Sequence, residues 1–342
     1  MLSGCAVNES RAPSGSDLSG TISASGASSQ QAAQDIWIAG FQNQHHLATV
    51  EYDPAGSGAG REMFAAGGTP FAGSDRAFTT TEVAEGEFLS CAPGSGIIEL
   101  PVYISPIAIV FAVDGIDTLK LDPTTIARIF AGDITRWNDD AITELNPDAD
   151  LPDGVITAVH RSDDSGVTEN FTAYLAATAP DAWPHEPSGV WPLKSGEAAQ
   201  GTSGVVDAVS NGTGMIGYVD ASRASGLGMV DVKVGDAYVA FSSEAAAAII
   251  DASPVGEGRT AGDLAIEIDR ASTASGVYPI VLVSYLIGCE RYPDAGTAEL
   301  VRAYFGYVIS DTAQREAAEY AGSAPISTGL TERATAAIAL IR

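Results

Sequence analysis

The chain has 342 residues, and because single cores rarely grow beyond about 250–300 residues, this length predicts roughly two domains. Hydrophobic residues make up 45% and charged residues 18%, a balance that excludes a disordered chain. The net charge of −27, from 17 basic and 44 acidic residues, argues against a nucleic-acid partner, which needs clustered Lys and Arg. The longest apolar run, at 106–113, falls short of the about 18 residues of a transmembrane helix.

The N-terminus carries the tetrapeptide Leu-Ser-Gly-Cys, which resembles the lipobox of a bacterial lipoprotein signal. We expect Cys5 to be lipidated with more than one acyl chain, since one chain anchors weakly. The charged and apolar regions that precede a lipobox are missing, which predicts a truncated or late-annotated start. Residues 6–20 are rich in Ser, Gly and Pro and are expected to form a flexible tether. The sequence thus predicts an extracytoplasmic, lipid-anchored protein; the alternative is a chance tetrapeptide.

Two further cysteines, Cys91 and Cys289, lie far from any His, so their spacing does not indicate a metal site. Outside the cytoplasm such cysteines more often pair than stay free. A bridge between them would close a loop of about 199 residues and stabilise the fold by roughly 4–5 kcal/mol on the chain-entropy model. Two free thiols are the alternative.

Strand-like and helix-like runs alternate along the chain, which predicts an α/β fold. We expect strands at 48–52, 70–73, 107–113, 154–160, 215–219 and 280–287. We expect helices at 29–42, 58–66, 123–131, 139–145, 166–177, 203–210, 244–252, 298–310, 312–321 and 331–341. Apolar stripes on the last helices indicate core packing.

Three turns, at 25–29, 56–60 and 161–166, place small polar residues directly before a predicted helix. A helix N-terminus leaves N–H groups unpaired and carries partial positive charge, which suits an oxyanion. Ser hydroxyls add donors, and Gly permits close approach of the backbone. Each turn taken alone is more simply interpreted as a helix cap.

Two charged residues sharpen this interpretation. Arg161 ends a predicted strand beside the third turn, and its guanidinium suits a tetrahedral oxyanion. The alternative is a surface ion pair with Asp163. Asp75 is a carboxylate among anion-binding turns, which makes sense if the anion carries a proton that needs an acceptor; the alternative is a turn or capping residue.

Longer stretches resemble the phosphate-binding protein of the bacterial phosphate-specific ABC importer, in order along nearly all of the chain after residue 20. Residues 71–75, Phe-Ala-Gly-Ser-Asp, are similar to that family's F-G-A-S-D element. Residues 130–142, followed by Leu-Asn-Pro, resemble its long helical signature. Residues 160–166, followed by Phe-Thr-Ala-Tyr-Leu, resemble its phosphate loop, and residues 214–219 a later strand signature.

The resemblance implies a two-lobed fold of the periplasmic-binding-protein type II class, with phosphate in the cleft. Chain crossings near 113–115 and 275–279 would divide it into a lobe of 21–113 plus 279–342 and a lobe of 114–278. The family's phosphate ligands carry over to Ser28, Ser29, Ser57, Asp75, Arg161, Ser165, Gly166 and Val167, with Asp163 and Thr168 in supporting roles.

This chain departs from the family pattern at two of those positions. Val167 stands where many members have Thr, so a hydroxyl is lost unless Thr168 substitutes for it. Ser29 stands where other members have an aromatic residue, which a contact through the backbone amide tolerates. These two departures affect one or two hydrogen bonds and leave the implied ligand class unchanged.

The resemblance further implies closure of the lobes around phosphate, delivery to the permease subunits of an ABC transporter in the membrane, and no enzymatic activity. We expect a monomer without cofactor or metal. Asp75 would favour hydrogen phosphate, which has a proton to donate, over sulfate, which has none. A binding protein for another oxyanion, such as sulfate, is the near alternative.

A phosphate-ester hydrolase using Ser165, His160 and Asp163 is the alternative from another class. Neighbouring residues of a strand point to opposite faces, so His160 would face away from a cleft that Arg161 faces. No Gly-x-Ser-x-Gly elbow occurs either.

Overall fold

The computed structural model describes residues 18–342. The predicted lipidation site Cys5 and most of the predicted tether lie outside these described residues. The first strand begins at Ser19, where its pairing with Leu47 starts, so the last two residues assigned to the tether belong to a sheet instead. None of the helices within 18–342 combines the length and apolarity needed to cross a bilayer.

Eleven strands and eleven helices follow one another along the described chain. The strands are β1 Ser19–Gly26, β2 Leu47–Asp53, β3 Phe71–Ser74, β4 Ile97–Ala112, β5 Thr118–Leu121, β6 Thr157–Arg161, β7 Glu197–Ala199, β8 Met215–Asp220, β9 Gly228–Val234, β10 Ala237–Val239 and β11 Val281–Cys289. The helices are α1 Gln31–Gln44, α2 Ser57–Ala65, α3 Thr80–Glu85, α4 Pro123–Ala131, α5 Asp140–Thr143, α6 Gly166–Thr178, α7 Gly201–Asn211, α8 Ser243–Asp251, α9 Ala295–Val308, α10 Asp311–Ala321 and α11 Thr328–Ile338.

The strands form two half-sheets joined through β4. The first runs β2-β1-β3-β11-β4, with β1 parallel to β2 and β3; the second runs β4-β8-β6-β7, with β9 beside β4 and between β5 and β10. Helices α1 and α2 connect the parallel strands of the first half-sheet, as parallel pairing requires. The predicted α/β class is confirmed. The parts of the chain around the first and the second half-sheet are called the first and the second lobe.

Strand β4 belongs to both lobes and changes partners within its length. Its residues Ile97 to Pro106 pair with β11, and Ile107 to Ala112 pair with β8. The predicted first crossing, at 113–115, therefore lies six residues beyond the point where the pairing changes, because 107–112 is already a strand of the second half-sheet.

The beginning of β4 was missing from the predicted strands, and its composition explains why. Two prolines and the fully buried Glu99 interrupt the apolar pattern of the segment. Proline lacks an N–H for the ladder, and here the register with β11 shifts between Tyr103 and Pro101, a bulge that accommodates it. Strands β1, β5, β7, β9 and β10 and the short α3 were also not predicted.

The predicted bridge between the two cysteines is present: Cys91 and Cys289 form a disulfide with a Cα–Cα distance of 5.4 Å. It ties the loop before β4 to the end of β11, across a sequence separation of 198 residues. Both residues are buried, Cys289 completely, so the crosslink lies within the main hydrophobic core.

Candidate functional site

Asp75, directly after β3, lies where the two lobes meet. Its side chain is 3% exposed, and Ser29 Oγ donates to both carboxylate oxygens, at 2.6 and 2.7 Å. The Asp75 amide donates to Ser57 Oγ at 3.1 Å. From the other lobe, Gly166 packs so closely that a Cβ added to it would lie 2.4 Å from Asp75 Cβ. The three predicted turns thus meet at Asp75.

The guanidinium of Arg161 is buried beside the same junction and is held by Asp163. Arg161 Nε donates to Asp163 Oδ1 at 2.7 Å, and Nη2 donates to Oδ2. A Cβ at Gly56, before α2, would lie 4.0 Å from Nη2, so the guanidinium reaches the first lobe. No hydrogen bond within residues 18–342 uses Arg161 Nη1, which leaves that edge of the guanidinium for an anion.

Helix α6 directs its N-terminus at Asp75. Ser165 caps it, with the hydroxyl accepting from Thr168 N at 3.4 Å. The amides of Gly166 and Val167 belong to the first turn, where N–H groups have no acceptor inside the helix. The Thr168 hydroxyl instead pairs with Tyr218 OH at 2.8 Å, so the group expected to replace the missing loop hydroxyl is already engaged.

A second contact between the lobes involves Ser28. Its hydroxyl lies 3.1 Å from Thr202 Oγ1, in the first turn of α7. The preceding Gly201 N donates to Asp163 Oδ1 at 3.1 Å. The N-terminus of α7 therefore joins those of α2 and α6 around the junction, and their partial positive charges add there.

Burial and the positive charge of Arg161 act in opposite directions on the pKa values of Asp75 and Asp163. Burial raises the pKa of Asp75, against hydrogen bonds from Ser284 and Ser29 and the positive charge of Arg161. Burial also acts to raise the pKa of Asp163, but the Arg161 hydrogen bonds and charge outweigh it and lower that pKa. The guanidinium of Arg161 is thus paired with a negative charge from its own loop.

Several residues at the junction were not predicted from the sequence. Ser284, in the middle of the apolar strand β11, donates to Asp75 Oδ1 at 2.5 Å; nothing in its neighbourhood distinguishes it from a core serine. Asn170 Nδ2 donates to the Asp75 carbonyl at 2.7 Å from the next turn of α6. Thr202 was detectable, because it lies in the stretch Gly-Thr-Ser-Gly at the start of a predicted helix, where the other three turns also have small polar residues.

The hydrogen bonds of Ser165, His160 and Asp163 do not connect these side chains as the hydrolase alternative requires. His160 Nδ1 bonds the carbonyl of its neighbour Arg161 at 2.9 Å, and its ring stacks on Trp191, with ring centroids 5.1 Å apart. Ser165 Oγ caps α6. Within residues 18–342, no three His, Cys, Asp or Glu side chains are arranged to hold a metal ion.

The family profile and two similar curated proteins point to the same family. Residues 11–312 match the profile of the PBP superfamily domain. The chain is 35% identical over 329 residues to the phosphate-binding protein PstS 3 of Mycobacterium leprae, covering 90% of this chain and 87% of that one. It is 33% identical over 325 residues to the phosphate-binding protein PstS 2 of Mycobacterium tuberculosis, covering 93% and 86%.

Solved structures share the fold. A high-affinity periplasmic phosphate-binding protein (PfluDING), solved with phosphate, superposes with a TM-score of 0.72 at 23% identity, covering 93% of each chain. A human phosphate-binding apolipoprotein superposes with a TM-score of 0.73 at 22% identity, covering 92% of this chain and 93% of that one. The predicted two-lobed fold is confirmed by this likeness.

Proposed function

We propose that this chain, which belongs to the family of PstS phosphate-binding proteins, binds inorganic phosphate between its lobes and delivers it to an ABC importer. The observation that carries the proposal is the meeting of Asp75 with Ser57 from its own lobe and Gly166 from the other. A buried carboxylate surrounded by helix N-termini and a guanidinium matches an anion that also has a proton to donate.

Donors from both lobes complete the proposed site. One lobe offers the Ser29 amide and the hydroxyls of Ser28 and Ser57; the other offers Arg161 and the first-turn amides of α6. Neither set alone satisfies four oxygens, so the ligand has a higher affinity for the closed arrangement and favours it. We assign the ligand set to Ser28, Ser29, Ser57, Asp75, Arg161, Ser165, Gly166 and Val167, with Asp163 orienting Arg161.

Asp75 would provide selectivity against sulfate. Hydrogen phosphate can donate its O–H to the carboxylate, whereas a sulfate oxygen would face the carboxylate with no proton between them. An unpaired buried acceptor costs about 1–3 kcal/mol, and more when it is charged. The net charge of −27 opposes the approach of anions, but distant charges are screened beyond about 8–10 Å, so short-range hydrogen bonds dominate binding.

The remaining roles follow from the family and the sequence. We propose an extracytoplasmic protein, anchored through acylated Cys5, that presents its closed form to the permease subunits and has no catalytic role. The pairing change in β4 favours a first crossing at Pro106–Ile107, so that the lobe containing α6 begins near residue 107.

Calorimetric titration of the wild-type protein with phosphate and with sulfate tests the function. We expect saturable phosphate binding at one site and at least about thirtyfold weaker sulfate binding, from two or more kcal/mol of unpaired-acceptor cost. Comparable affinities for the two anions would contradict the role of Asp75, and no phosphate binding would contradict the function.

A further inference from the structure

A row of buried side chains ends on the carboxylate of Asp75. Tyr304 OH donates to Gln34 Oε1 at 2.6 Å, Gln34 Nε2 to Gln30 Oε1 at 2.8 Å, Gln30 Nε2 to Ser284 Oγ at 2.6 Å, and Ser284 Oγ to Asp75 Oδ1 at 2.5 Å. The first four side chains are fully buried. The row crosses from α9 through α1 to β11, so tertiary packing alone assembles it.

The direction of this row is determined by a backbone group. Gln30 Nε2 also donates to the carbonyl of Tyr285 at 3.0 Å, and a carbonyl oxygen can only accept. The nitrogen of the Gln30 amide, not its oxygen, therefore faces Ser284. Ser284 Oγ accepts that bond, and its single hydrogen is directed at Asp75.

A hydroxyl whose hydrogen is directed at a carboxyl group distinguishes between the two forms of that group. It stabilises an ionised Asp75 and offers nothing to a proton on Oδ1. Ser29 donates to both oxygens of the same carboxylate, so with Ser284 three of its about four acceptor positions are contacted. One position, on Oδ2, remains for a ligand.

We propose that Ser284 and Gln30 are positioning residues that hold Asp75 as an ionised proton acceptor, and thereby set the preference of the site for protonated over unprotonated tetrahedral oxyanions. The ligand class rests on the proposed function. The ionisation of Asp75 does not, because it can be measured without ligand.

Other groups also face Asp75. Arg161 on β6 and Arg61 on α2 lower its pKa, in opposition to burial. On β2, Tyr52 has its pKa raised by burial and then by the charge of Asp75. Burial lowers the pKa of Arg61 itself. Neither arginine is altered by the substitutions that test the proposal. Asp75 also lines a cavity of about 220 Å³, whose other charged lining residues are Arg76, Glu169, Arg259 and Arg270.

The first test measures Asp75 itself in ligand-free protein. Carbon-13 NMR of the aspartate carboxyls, with the Asp75 signal assigned by its loss in Asp75→Asn, gives the pKa in wild type and in Ser284→Ala. We expect the variant to raise the pKa by about one unit, as loss of one charge-assisted hydrogen bond implies. Ser105→Ala, at a fully buried serine outside the row, should leave it unchanged.

The second test measures selectivity by calorimetry at pH 6 and pH 8. Protonated Asp75 can donate to sulfate, so Ser284→Ala should gain about tenfold in sulfate affinity relative to phosphate at pH 6, and less at pH 8. Gln30→Met leaves the Ser284 hydroxyl free to rotate, so it should change the Asp75 pKa and the relative sulfate affinity in the same directions as Ser284→Ala. This variant replaces Ser284→Ala in both tests if that protein does not fold.

An unchanged Asp75 pKa in both variants would overturn the proposal, as would a raised pKa with an unchanged phosphate-to-sulfate ratio. If wild type bound no phosphate, the proposed function would fail. The NMR titration would still decide whether Ser284 keeps Asp75 ionised.

Discussion

Gly166 and Asp75 belong to different lobes, yet a Cβ on Gly166 would lie 2.4 Å from Asp75 Cβ and 2.8 Å from Ser57 Oγ. Real Cβ atoms do not come that close to carbon, so only glycine permits α6 to begin this close to Asp75. The approach brings the first-turn amides of α6 to the residues of β3 and α2.

Gly166→Ala should therefore separate the lobes. We expect phosphate affinity to fall at least about tenfold, since displacement of α6 weakens several donors at once. Calorimetry measures the affinity, and circular dichroism checks the fold. Gly204→Ala is the matched control, because a Cβ there meets its nearest atom at 3.5 Å, an ordinary contact. Equal effects of the two substitutions would contradict this prediction.

Arg161→Ala should weaken phosphate binding by about 2–5 kcal/mol, the range for truncating one partner of a buried charge pair. The loss combines the missing guanidinium with the charge of Asp163, which is left without its partner. Arg136→Ala removes the same charge where the side chain is 53% exposed, in an ion pair with Asp153, and should leave affinity unchanged. Wild-type affinity in Arg161→Ala would remove this residue from the site.

Replacing both Cys91 and Cys289 by Ala should lower the free energy of unfolding by about 4–5 kcal/mol on the chain-entropy model, because the long loop regains its freedom in the unfolded chain. Urea unfolding under non-reducing conditions measures the loss. Phosphate affinity should stay near wild type, since neither cysteine contacts the junction. A loss below about 1 kcal/mol would show that the unfolded chain is constrained by other means.

The fully buried Asp220 should make stability depend on pH. Burial raises its pKa to about 6, against hydrogen bonds from Ser222, and its Oδ2 has no partner in the structure. The folded state thus binds this proton more tightly than the unfolded state, so its contribution is fully present below about pH 4 and is lost as pH rises through about 6.

Asp220→Asn removes that proton and should cancel the dependence. Relative to the variant, wild type should lose roughly 3 kcal/mol of unfolding free energy between pH 4 and pH 7, about two pKa units. Urea unfolding at both pH values measures this. The exposed Asp148→Asn controls for the change of net charge. A difference between wild type and variant that did not change with pH would disprove the assignment.

Local sequence signals predicted much of the molecule. Helix α4 begins and ends where predicted, because Asp122 caps it, Pro123 opens it and Gly132 ends it in the left-handed conformation. The turn before α6 was likewise predictable from Ser165 and Gly166. These features depend on residues that are neighbours in the chain, so the order of residues is sufficient to find them.

Other features were visible only after folding. Strand β4 was predicted in part, since its change of partners at Pro106 depends on β8 and β11 rather than on its own composition. Ser284 reads as an ordinary serine of an apolar strand, and its contact with Asp75 spans 209 positions.

The sequence by itself determined the α/β class, the capped helix starts, the family and the residue types of an anion site. Only the tertiary structure decided that Ser29 turns its hydroxyl toward Asp75, that Thr168 is engaged with Tyr218, and that Gln30 directs Ser284 at the carboxylate. The reason is physical: caps and turns are determined by contacts within a few residues, whereas the direction of a buried hydrogen bond depends on every donor and acceptor packed around it.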